Sequence, residues 1–413
     1  MSPYRVLVVD DSAFMRKIFC DLIASDKQFE IVATATNGYE AIDSVERLKP
    51  DVITMDLEMP EMNGLEALER IMRTLPTPII MLSSISDDAT RETIKALQIG
   101  AFDFIRKPSG PLSPDIHKVG EMLLEKMRIA VLTKRVHQTA APIEKPAPKL
   151  TPDVKLERTF KPRPKAADSP ISKAPPDVQG KTMDGQSVKK PVAIHKPKQL
   201  AAQDILLEPH KPVDKKPQPS STFQHLITIG TSTGGPRALH EVITALPGDL
   251  PAPVLVVQHM PPKFTHSLAQ RLDTFSNLRV VEATNGERVN AGMVYIAPGG
   301  NHMELAKDSR GYYIRLTQEP TRNGHRPSVD VMFESCTSFK ELRRHSVIMT
   351  GMGSDGVKGM KALNESGGES AIAEAEESCV VYGMPRSAIE AGVAKTVVPL
   401  RQIASRLVEA VMK

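Results

Sequence analysis

The sequence has few cysteines and no long apolar run. Cys20, Cys336 and Cys379 lie far apart and form no CxxC or CxxH pair, so neither a disulfide framework nor a zinc site is predicted. No segment approaches the ~20 apolar residues of a membrane-spanning helix. The first apolar run is too short for a signal peptide, and aspartates follow it at once. We therefore expect a soluble, cytoplasmic protein that is not inserted in a membrane.

Aromatic residues and balanced charge are missing from the middle of the chain. Residues 134–222 contain one aromatic residue, Phe160, and 15 of the 34 prolines, with 18 Lys and Arg against 9 Asp and Glu. A segment of this composition buries too little apolar surface to offset the entropy lost on ordering. We predict a long disordered linker there, between folded domains at residues 1–133 and 223–413. We interpret its lysines as solvated side chains; the alternative is that they bind an acidic partner or a membrane surface.

Residues 1–133 alternate between strand-like and helix-like patterns five times. The strand-like runs are RVLVV, EIVATA, DVITM, PIIML and DFIR. In the first helix-like segment one face collects the apolar residues Phe14, Ile18, Phe19, Leu22 and Ile23. Repeated βα units predict an α/β domain built on a doubly wound parallel sheet.

Polar residues follow the strands of this predicted sheet at their carboxyl ends, where such sheets bind ligands. They are Asp10, Asp11, Asp56, Ser83 and Lys107. Carboxylates meeting at one edge repel each other unless a cation lies between them, and Mg²⁺ prefers such oxygen ligands. Taken singly, the aspartates could be helix caps and the lysine a surface residue. Together they predict phosphoryl transfer to an aspartate, with metal and lysine stabilising the transferred charge.

The segments VVDDS, MDLEMPEMNG, LSS and RKP resemble those of bacterial response-regulator receiver domains. The resemblance implies a flavodoxin-like fold over residues 1–133 and Asp56 as the phospho-acceptor. The implied Mg²⁺ ligands are Asp11, Asp56 and the carbonyl group of Glu58. The implied supporting residues are Asp10, Ser83 and Lys107, of which the last two contact the phosphoryl group. The Lys107–Pro108 bond is expected to be cis.

Residues 223–413 again alternate between strands and helices. The strand-like runs are LITIG, VLVVQH, MVYIAP, HSVIMTG, ESAIAE and KTVVPL. Helical patterns cover residues 236–246, 264–273, 328–339, 356–366, 384–391 and 401–412. The stretch MELAKDSRGYYIRL differs, because two strand-like halves flank Ser-Arg-Gly. We therefore predict a second doubly wound α/β domain with a β-hairpin insertion.

The stretch GTSTGGP at residues 230–236 could cradle a phosphate or present a nucleophile. It lacks the Gly-Lys-Ser/Thr end of a Walker loop and the GxGxxG spacing of a dinucleotide site, and Arg237 is the nearby cation. Residues 230–234 do fit G-x-S-x-G between a strand and a helix, the context in which that motif exposes a serine. The start of the helix would direct N–H groups toward the same point. We interpret Ser232 as a nucleophile.

A serine nucleophile needs a base and an orienting carboxylate. His259 ends the next strand, VLVVQH, so it is expected at the same sheet edge as Ser232. The rival histidines, which lie less clearly at a strand's carboxyl end, are His302, His325 and His345. Asp355 follows another apolar strand through a glycine-rich turn, whereas its rival Asp330 falls in a predicted helix. The sequence thus predicts a triad of Ser232, His259 and Asp355.

The triad order Ser, His, Asp differs from the Ser, acid, His order of α/β-hydrolases. With GTSTGGP, QHMPPKFTHSLAQRL, YIAPGGNHMEL, GHRPSVDVMF, MTGMGSDG and SCVVYGMPRSAI, it resembles the catalytic domain of chemotaxis protein-glutamate methylesterases. Thr231 stands where that family usually has alanine, and the linker is longer than usual. The resemblance implies an oxyanion hole at Thr233 and Met352.

The same resemblance implies the reaction and its partners. The enzyme would hydrolyse glutamate methyl esters, and deamidate glutamines, on the cytoplasmic helices of methyl-accepting chemoreceptors. A chemotaxis histidine kinase would phosphorylate the receiver, with Mg²⁺ needed there and no cofactor needed for ester hydrolysis. The alternatives are a carboxylesterase with another substrate and a non-catalytic phosphorelay adaptor. A DNA-binding regulator is disfavoured, because the basic linker lacks interleaved aromatic residues and no helix-turn-helix pattern follows it, so no nucleic-acid partner is expected.

Overall fold

The computed structural model describes residues 2–108, 116–139 and 220–412. The predicted disordered linker falls almost wholly outside these residues. The domain boundaries at residues 133 and 223 stay predictions; the helix before the linker is described as far as Thr139, and Ser220 bridges to Ala291. Within the described ranges, no helix combines the length and apolarity needed to cross a membrane.

The N-terminal part alternates strands and helices as its sequence pattern predicts. The strands are β1 (Tyr4–Val9), β2 (Phe29–Ala35), β3 (Val52–Asp56), β4 (Ile79–Ser83) and β5 (Asp103–Arg106). The helices are α1 (Ala13–Ala24), α2 (Gly38–Leu48), α3 (Gly64–Thr74), α4 (Asp87–Ile99) and α5 (Ile116–Thr139). The strands form one parallel sheet in the order β2-β1-β3-β4-β5.

Burial in this domain follows the apolar pattern in the central strands but less closely on helix α1. Strands β3 and β4 are buried along their whole length, as expected for central strands with helices on both faces. On α1, Phe19 and Ile23 are buried, but Phe14 is 49% exposed. The apolar face predicted for α1 is therefore only partly covered.

The C-terminal part is a second α/β domain. Its strands are β6 (His225–Thr231), β7 (Val254–Gln258), β8 (Arg279–Glu282), β9 (Met293–Ile296), β10 (His302–Asp308), β11 (Gly311–Thr317), β12 (Arg343–Ile348), β13 (Ser370–Glu374) and β14 (Thr396–Val398). Its helices are α6 (Gly235–Thr244), α7 (Phe264–Phe275), α8 (Val329–Ser335), α9 (Val357–Glu365), α10 (Met384–Glu390) and α11 (Leu400–Met412), with short 3₁₀ turns at Cys336–Ser338 and Glu376–Ser378.

Seven of these strands form a parallel sheet in the order β14-β13-β12-β6-β7-β9-β8. The predicted hairpin is present, because β10 and β11 pair antiparallel across the Ser309–Arg310 turn. Strand β8 is absent from the sequence-based prediction, since its four residues contain only two adjacent valines. Strands β6 and β7 are parallel neighbours near the centre of the sheet, so the residues that follow their carboxyl ends lie at the same edge.

The two α/β domains belong to one compact unit. The ring of Phe104, on β5, stacks on that of Phe264, on α7, with centroids 4.5 Å apart. The hydroxyl groups of Thr90 and Ser267 are 2.7 Å apart and buried. Ring stacking and a buried hydrogen bond therefore join the N-terminal domain to the C-terminal one.

Candidate active site and phosphorylation site

Three aspartates meet at the carboxyl edge of the N-terminal sheet. Carboxylate oxygens of Asp10, Asp11 and Asp56 lie within 4.8 Å of one another. The Lys107 ammonium is 2.9 Å from Asp10 and 2.6 Å from Asp56. Burial raises the pKa of Asp56 to about 6, although Lys107 acts to lower it. Three carboxylates facing one lysine form a donor set that fits a hard divalent cation; the Glu58 carbonyl stays a predicted ligand.

Ser83 ends β4, but its hydroxyl group is already bonded locally. It donates to the Ser84 carbonyl at 3.0 Å and accepts from the Thr93 hydroxyl at 2.7 Å. The backbone N–H of Lys107 donates to the Ser83 carbonyl at 2.8 Å. A phosphoryl contact from the Ser83 hydroxyl would require these side-chain bonds to rearrange, so that role stays a prediction.

The expected cis bond at Lys107–Pro108 is wrong. Among the described residues the cis peptide bond lies at Arg326–Pro327 instead. An X–Pro bond prefers trans by ≈0.5–1 kcal/mol unless its surroundings favour cis. The Lys107 side chain reaches Asp10 and Asp56 from the trans arrangement, so its ion pairs do not require the cis form.

Ser232 lies in a strand–turn–helix corner, as its motif predicts. Strand β6 ends at Thr231, and helix α6 starts after Gly234, whose φ of +81° is the left-handed conformation that glycine adopts without strain. The Ser232 N–H donates to the Thr350 carbonyl at 3.0 Å, and the Gly235 N–H donates to the Ser232 carbonyl at 2.8 Å. These bonds fix the backbone on both sides of the serine.

Ser232 and His259 occupy neighbouring positions on adjacent strands. Thr231 pairs with Gln258 in the β6–β7 register, and the His259 N–H donates to the Thr231 carbonyl at 3.1 Å. Adjacent strands run about 4.8 Å apart. Within the described residues no hydrogen bond joins the Ser232 hydroxyl to His259, and such bonds often form only when substrate binds.

His259 is bonded to Asp355 through one ring nitrogen. Its Nε2 is 2.8 Å from Asp355 Oδ2. Because a carboxylate only accepts, Nε2 carries the proton, and the lone pair lies on Nδ1. His259 Nδ1 is buried and has no hydrogen-bond partner in the part of the chain that is described. It is therefore the nitrogen available to take a proton.

Asp355 is held as an anion. Besides the His259 ring, it accepts from the Ser328 hydroxyl at 2.9 Å, the Val329 N–H at 2.7 Å and the Asn323 amide at 2.8 Å. Burial by itself would raise the pKa of Asp355, but the hydrogen bonds from His259 and its other neighbours bring that pKa below its usual range. The carboxylate can thus stabilise a positive charge on His259.

Asp330, the rival carboxylate, has a different place. It lies on α8, as its sequence context predicts, and is fully buried. Its Oδ1 accepts from the N–H groups of Gly356 and Gly359 at 2.9 and 2.8 Å. Its Oδ2 accepts from the amide of Asn323. These bonds hold the start of α9, and none joins Asp330 to His259 in the described structure.

The site also contains residues to which the sequence assigns no role, among them Asn323 and His325. Asn323 bridges Asp355 and Asp330, and the ring of His325 stacks on that of His259, with centroids 3.7 Å apart and planes 8° apart. The Asn-Gly dipeptide at 323–324 is a strong signal of a tight turn, which could have placed both side chains. The sequence indicates His325 only as a rival candidate for the base.

An oxyanion hole needs backbone N–H groups that are not already bonded to another acceptor. The Gly351 N–H is used by the Val381 carbonyl at 3.0 Å. For the Met352 N–H, no acceptor is present among the described residues. The N-terminus of α6 also points its N–H groups and positive dipole end toward the Ser232 corner.

The N-terminal domain reaches the residue after Ser232. The Thr233 hydroxyl donates to Asp103 Oδ2 at 2.7 Å, and the same carboxylate is paired with Lys126 on α5. Met352, Val380 and Val381 pack in the apolar cluster of the N-terminal domain. The N-terminal domain therefore contacts the turn that carries Ser232.

Comparisons with known proteins match each of the two domains to a family. The receiver domain family, described as "Response regulator receiver domain", matches residues 6–113, and the family described as "CheB methylesterase" matches residues 227–407. A protein-glutamate methylesterase/protein-glutamine glutaminase of Geobacillus kaustophilus is 42% identical over 409 residues, covering 99% of each chain. One of Bacillus subtilis is 41% identical, also covering 99% of each.

The chain belongs to the protein-glutamate methylesterase/protein-glutamine glutaminase family. It is thus a chemotaxis response regulator of the hydrolase class. Among solved structures, the CheB methylesterase catalytic domain of Thermotoga maritima is 45% identical, with a TM-score of 0.44, covering 46% of this chain and 99% of that one. The receiver domain of Thermotoga maritima CheB is 50% identical, with a TM-score of 0.30, covering 32% of this chain and 97% of that one.

Proposed function

We propose that this methylesterase removes methyl groups from glutamate methyl esters on methyl-accepting chemoreceptors, with Ser232, His259 and Asp355 as a catalytic triad. The observation that supports it most is the 2.8 Å bond from His259 Nε2 to a charged Asp355, beside the strand that presents Ser232. The family relationship adds the glutamate ester as substrate. Deamidation of receptor glutamines would use the same residues.

The reaction divides into two halves. Ser232 Oγ attacks the ester carbonyl carbon while its proton passes to His259 Nδ1, and the carbonyl electron pair moves onto the oxygen. The N–H groups of Thr233 and Met352 would stabilise that oxyanion. When the pair returns, the C–O bond breaks, and His259 gives its proton to the departing methoxide, which leaves as methanol. Water then repeats the sequence on the Ser232 acyl-enzyme and releases the glutamate carboxylate.

The decisive experiment follows release of labelled methanol from methylated receptor membranes. Ser232→Ala removes one hydroxyl group and should abolish turnover without unfolding the protein, and His259→Ala should be comparably damaging, since losses within a triad are not additive. Ser405→Ala is the matched control, because among the described residues this exposed serine on α11 bonds only to the Gln402 carbonyl. If Ser232→Ala keeps wild-type turnover, the triad is wrong; if a small ester is hydrolysed but receptors are not, the substrate is wrong.

We further propose that phosphorylation of Asp56 by a histidine kinase raises this activity. Lys107, paired with Asp56, directly follows β5, and β5 begins with Asp103, which bonds to Thr233. Asp11 and Asp56 would hold the Mg²⁺ that neutralises phosphoryl charge during transfer. A tenfold activation needs a difference of only ~1.4 kcal/mol between the closed and open arrangements.

The regulatory proposal is tested on the full-length protein. Turnover is measured with and without a small-molecule phosphoryl donor and Mg²⁺, with Asp56→Asn as the control that cannot be phosphorylated. We expect the donor to raise wild-type turnover and to leave Asp56→Asn unchanged. If the donor phosphorylates Asp56 but changes nothing, the receiver has another role, such as localisation to receptors.

A further inference from the structure

One tight turn contacts both His259 and Asp355. Arg322 and His325 exchange backbone hydrogen bonds of 3.0 and 2.9 Å, and the central residues, Asn323 and Gly324, have φ values of +53° and +81°. Positive φ at both central positions is the geometry that Asn-Gly favours in two-residue turns. The Arg322 guanidinium makes two bonds, of 2.7 and 2.6 Å, to Glu334 on α8. The turn is therefore fixed to the domain.

The turn has two points of contact with the site. Through Asn323 it donates to Asp355 Oδ1 at 2.8 Å. Through His325 it places a ring face to face on His259, with 3.7 Å between centroids and 8° between planes. His259 Nδ1 has no hydrogen-bond partner among the described residues, so the bond to Asp355 and this stack both act to hold the plane of its ring.

The stack also suits the charge that His259 acquires. Burial, with smaller contributions from His259 and Lys126, lowers the pKa of His325 to about 4, while Asp355 acts to raise it. His325 is then neutral near pH 7. A neutral aromatic face beside an imidazolium is attractive, whereas a second cation there would repel it.

We infer that His325 is a positioning residue for the esterase reaction: its ring, carried by the Arg322–His325 turn, fixes the plane of His259 so that Nδ1 faces Ser232. This inference rests on the proposed triad. Rotation of the His259 ring would break the bond to Asp355 and turn Nδ1 away from the serine hydroxyl. The stacked ring opposes that rotation and keeps water from one face.

The test compares His325→Ala with His325→Phe. A small displacement of a reacting group can cost on the order of 10²-fold in rate, so His325→Ala should lower kcat by about that factor and leave KM for methylated receptors within about twofold. His325→Phe restores a flat ring and should recover most of kcat. The rate at which a fluorophosphonate probe labels Ser232 should follow kcat, because it depends on the same base but not on the receptor.

His225→Ala is the matched control. His225 also stacks on a buried histidine, His345, with planes 9° apart, at the opposite end of the same sheet. It should lower the melting temperature without changing kcat. The inference is overturned if His325→Ala keeps the wild-type kcat and labelling rate. It is also overturned if kcat falls no further in His325→Ala than in His225→Ala, or if His325→Phe does not recover kcat. If the wild type itself neither labels nor hydrolyses receptor esters, the proposed triad fails instead.

Discussion

The Asp355 carboxylate accepts five hydrogen bonds, from His259, Asn323 and Ser328 side chains and two backbone N–H groups. The sequence predicts Asp355 at the carboxyl edge of the C-terminal sheet, and the structure has it there. Asp355 follows β12 through a glycine-rich turn, and β12 ends at the same edge as β6 and β7. The sequence did not reveal the donors. Asn323 and Ser328 come from a loop that is distant in sequence, and single-residue patterns carry no signal for such partners.

Replacing Asp355 and Asp330 in turn by asparagine should distinguish the catalytic role of the first from the structural role of the second. Asp355→Asn puts an amide where His259 needs an acceptor, so the imidazole would adopt the wrong tautomer, and kcat should fall by up to ~10⁴. Asp330→Asn weakens the bonds to Gly356 and Gly359 and should lower the free energy of unfolding by about 1–3 kcal/mol, with a smaller effect on kcat. Methanol release and urea unfolding measure the two effects, and the reverse ranking in kcat would show that Asp330 is the orienting residue.

The paired histidines at the amino ends of β6 and β12 predict a pH dependence of stability. Burial lowers the pKa of His345 to about 4, with His225 and Arg343 adding to the effect. The unfolded residue takes up a proton near pH 6.5. Between these values the unfolded chain binds more protons, so the stability present above about pH 6.5 is lost as the pH falls toward 4.

Melting temperature measured from pH 7.5 to 5 tests this expectation. Asp56, whose pKa is raised, acts in the opposite direction in the same range. The comparison is therefore between the wild type and His345→Gln, which share Asp56. The variant should lose less stability on acidification. Parallel curves for the two proteins would mean that the histidine pair does not titrate as expected.

At the scale of elements, the loop after β12 lies against the nucleophile. A Cβ atom on Gly351 would lie 2.4 Å from Met384 Sδ and 2.8 Å from Ser232 Cβ. Both contacts are too short, and Ser232 is held by its own backbone bonds. The loop can therefore approach the serine this closely only with glycine at position 351.

Gly351→Ala should accordingly displace Ser232 and lower kcat by at least about tenfold, more than its loss of stability explains. Gly392→Ala is the control, since a Cβ there meets nothing within 4 Å and φ is +67°. It should cost only the ~1–2 kcal/mol of left-handed backbone strain. Turnover per folded molecule distinguishes the two, and an active Gly351→Ala protein would show that the loop yields instead of the serine.

Elements were predicted where their pattern was long and regular. Central strands such as β4 and β6 are apolar runs bounded by turns, and the β10–β11 hairpin carries its own turn signal. Strand β8 was missed because Val280 and Val281 alone give no alternation, and it forms only by pairing with β9. The bond at Lys107–Pro108 was misassigned because local sequence does not determine which isomer the tertiary structure favours.

At the scale of the whole molecule, the contact between the two domains was not foreseeable from either domain's pattern. Phe104 and Phe264 look like ordinary core residues in the sequence, and their rings stack across the domains. Gln98 likewise bonds to both His240 and Arg271. These contacts depend on how two finished surfaces fit together, which periodicity does not encode.

Removing one of those rings should weaken the packing of the receiver. Phe104→Ala is expected to raise basal esterase turnover and to reduce the further increase caused by phosphorylation, because part of the closed arrangement is already lost. Phe14→Ala, on an exposed phenylalanine of the same domain, should change neither. Methanol release with and without phosphoryl donor measures both quantities. Unchanged basal turnover in Phe104→Ala would show that this ring does not hold the domains together.

The bond from Thr233 to Asp103 has a consequence for exchanging modules between regulators. A receiver grafted onto this esterase would keep its own phosphorylation chemistry if it carried its aspartates and lysine. Without a carboxylate at the position of Asp103, however, the Thr233 hydroxyl would lose its acceptor. The grafted receiver would then lose one of its contacts with the turn that carries Ser232. Such a chimera would be phosphorylated normally, but phosphorylation would no longer change its esterase turnover. Restoring a carboxylate at the position of Asp103 should restore that response.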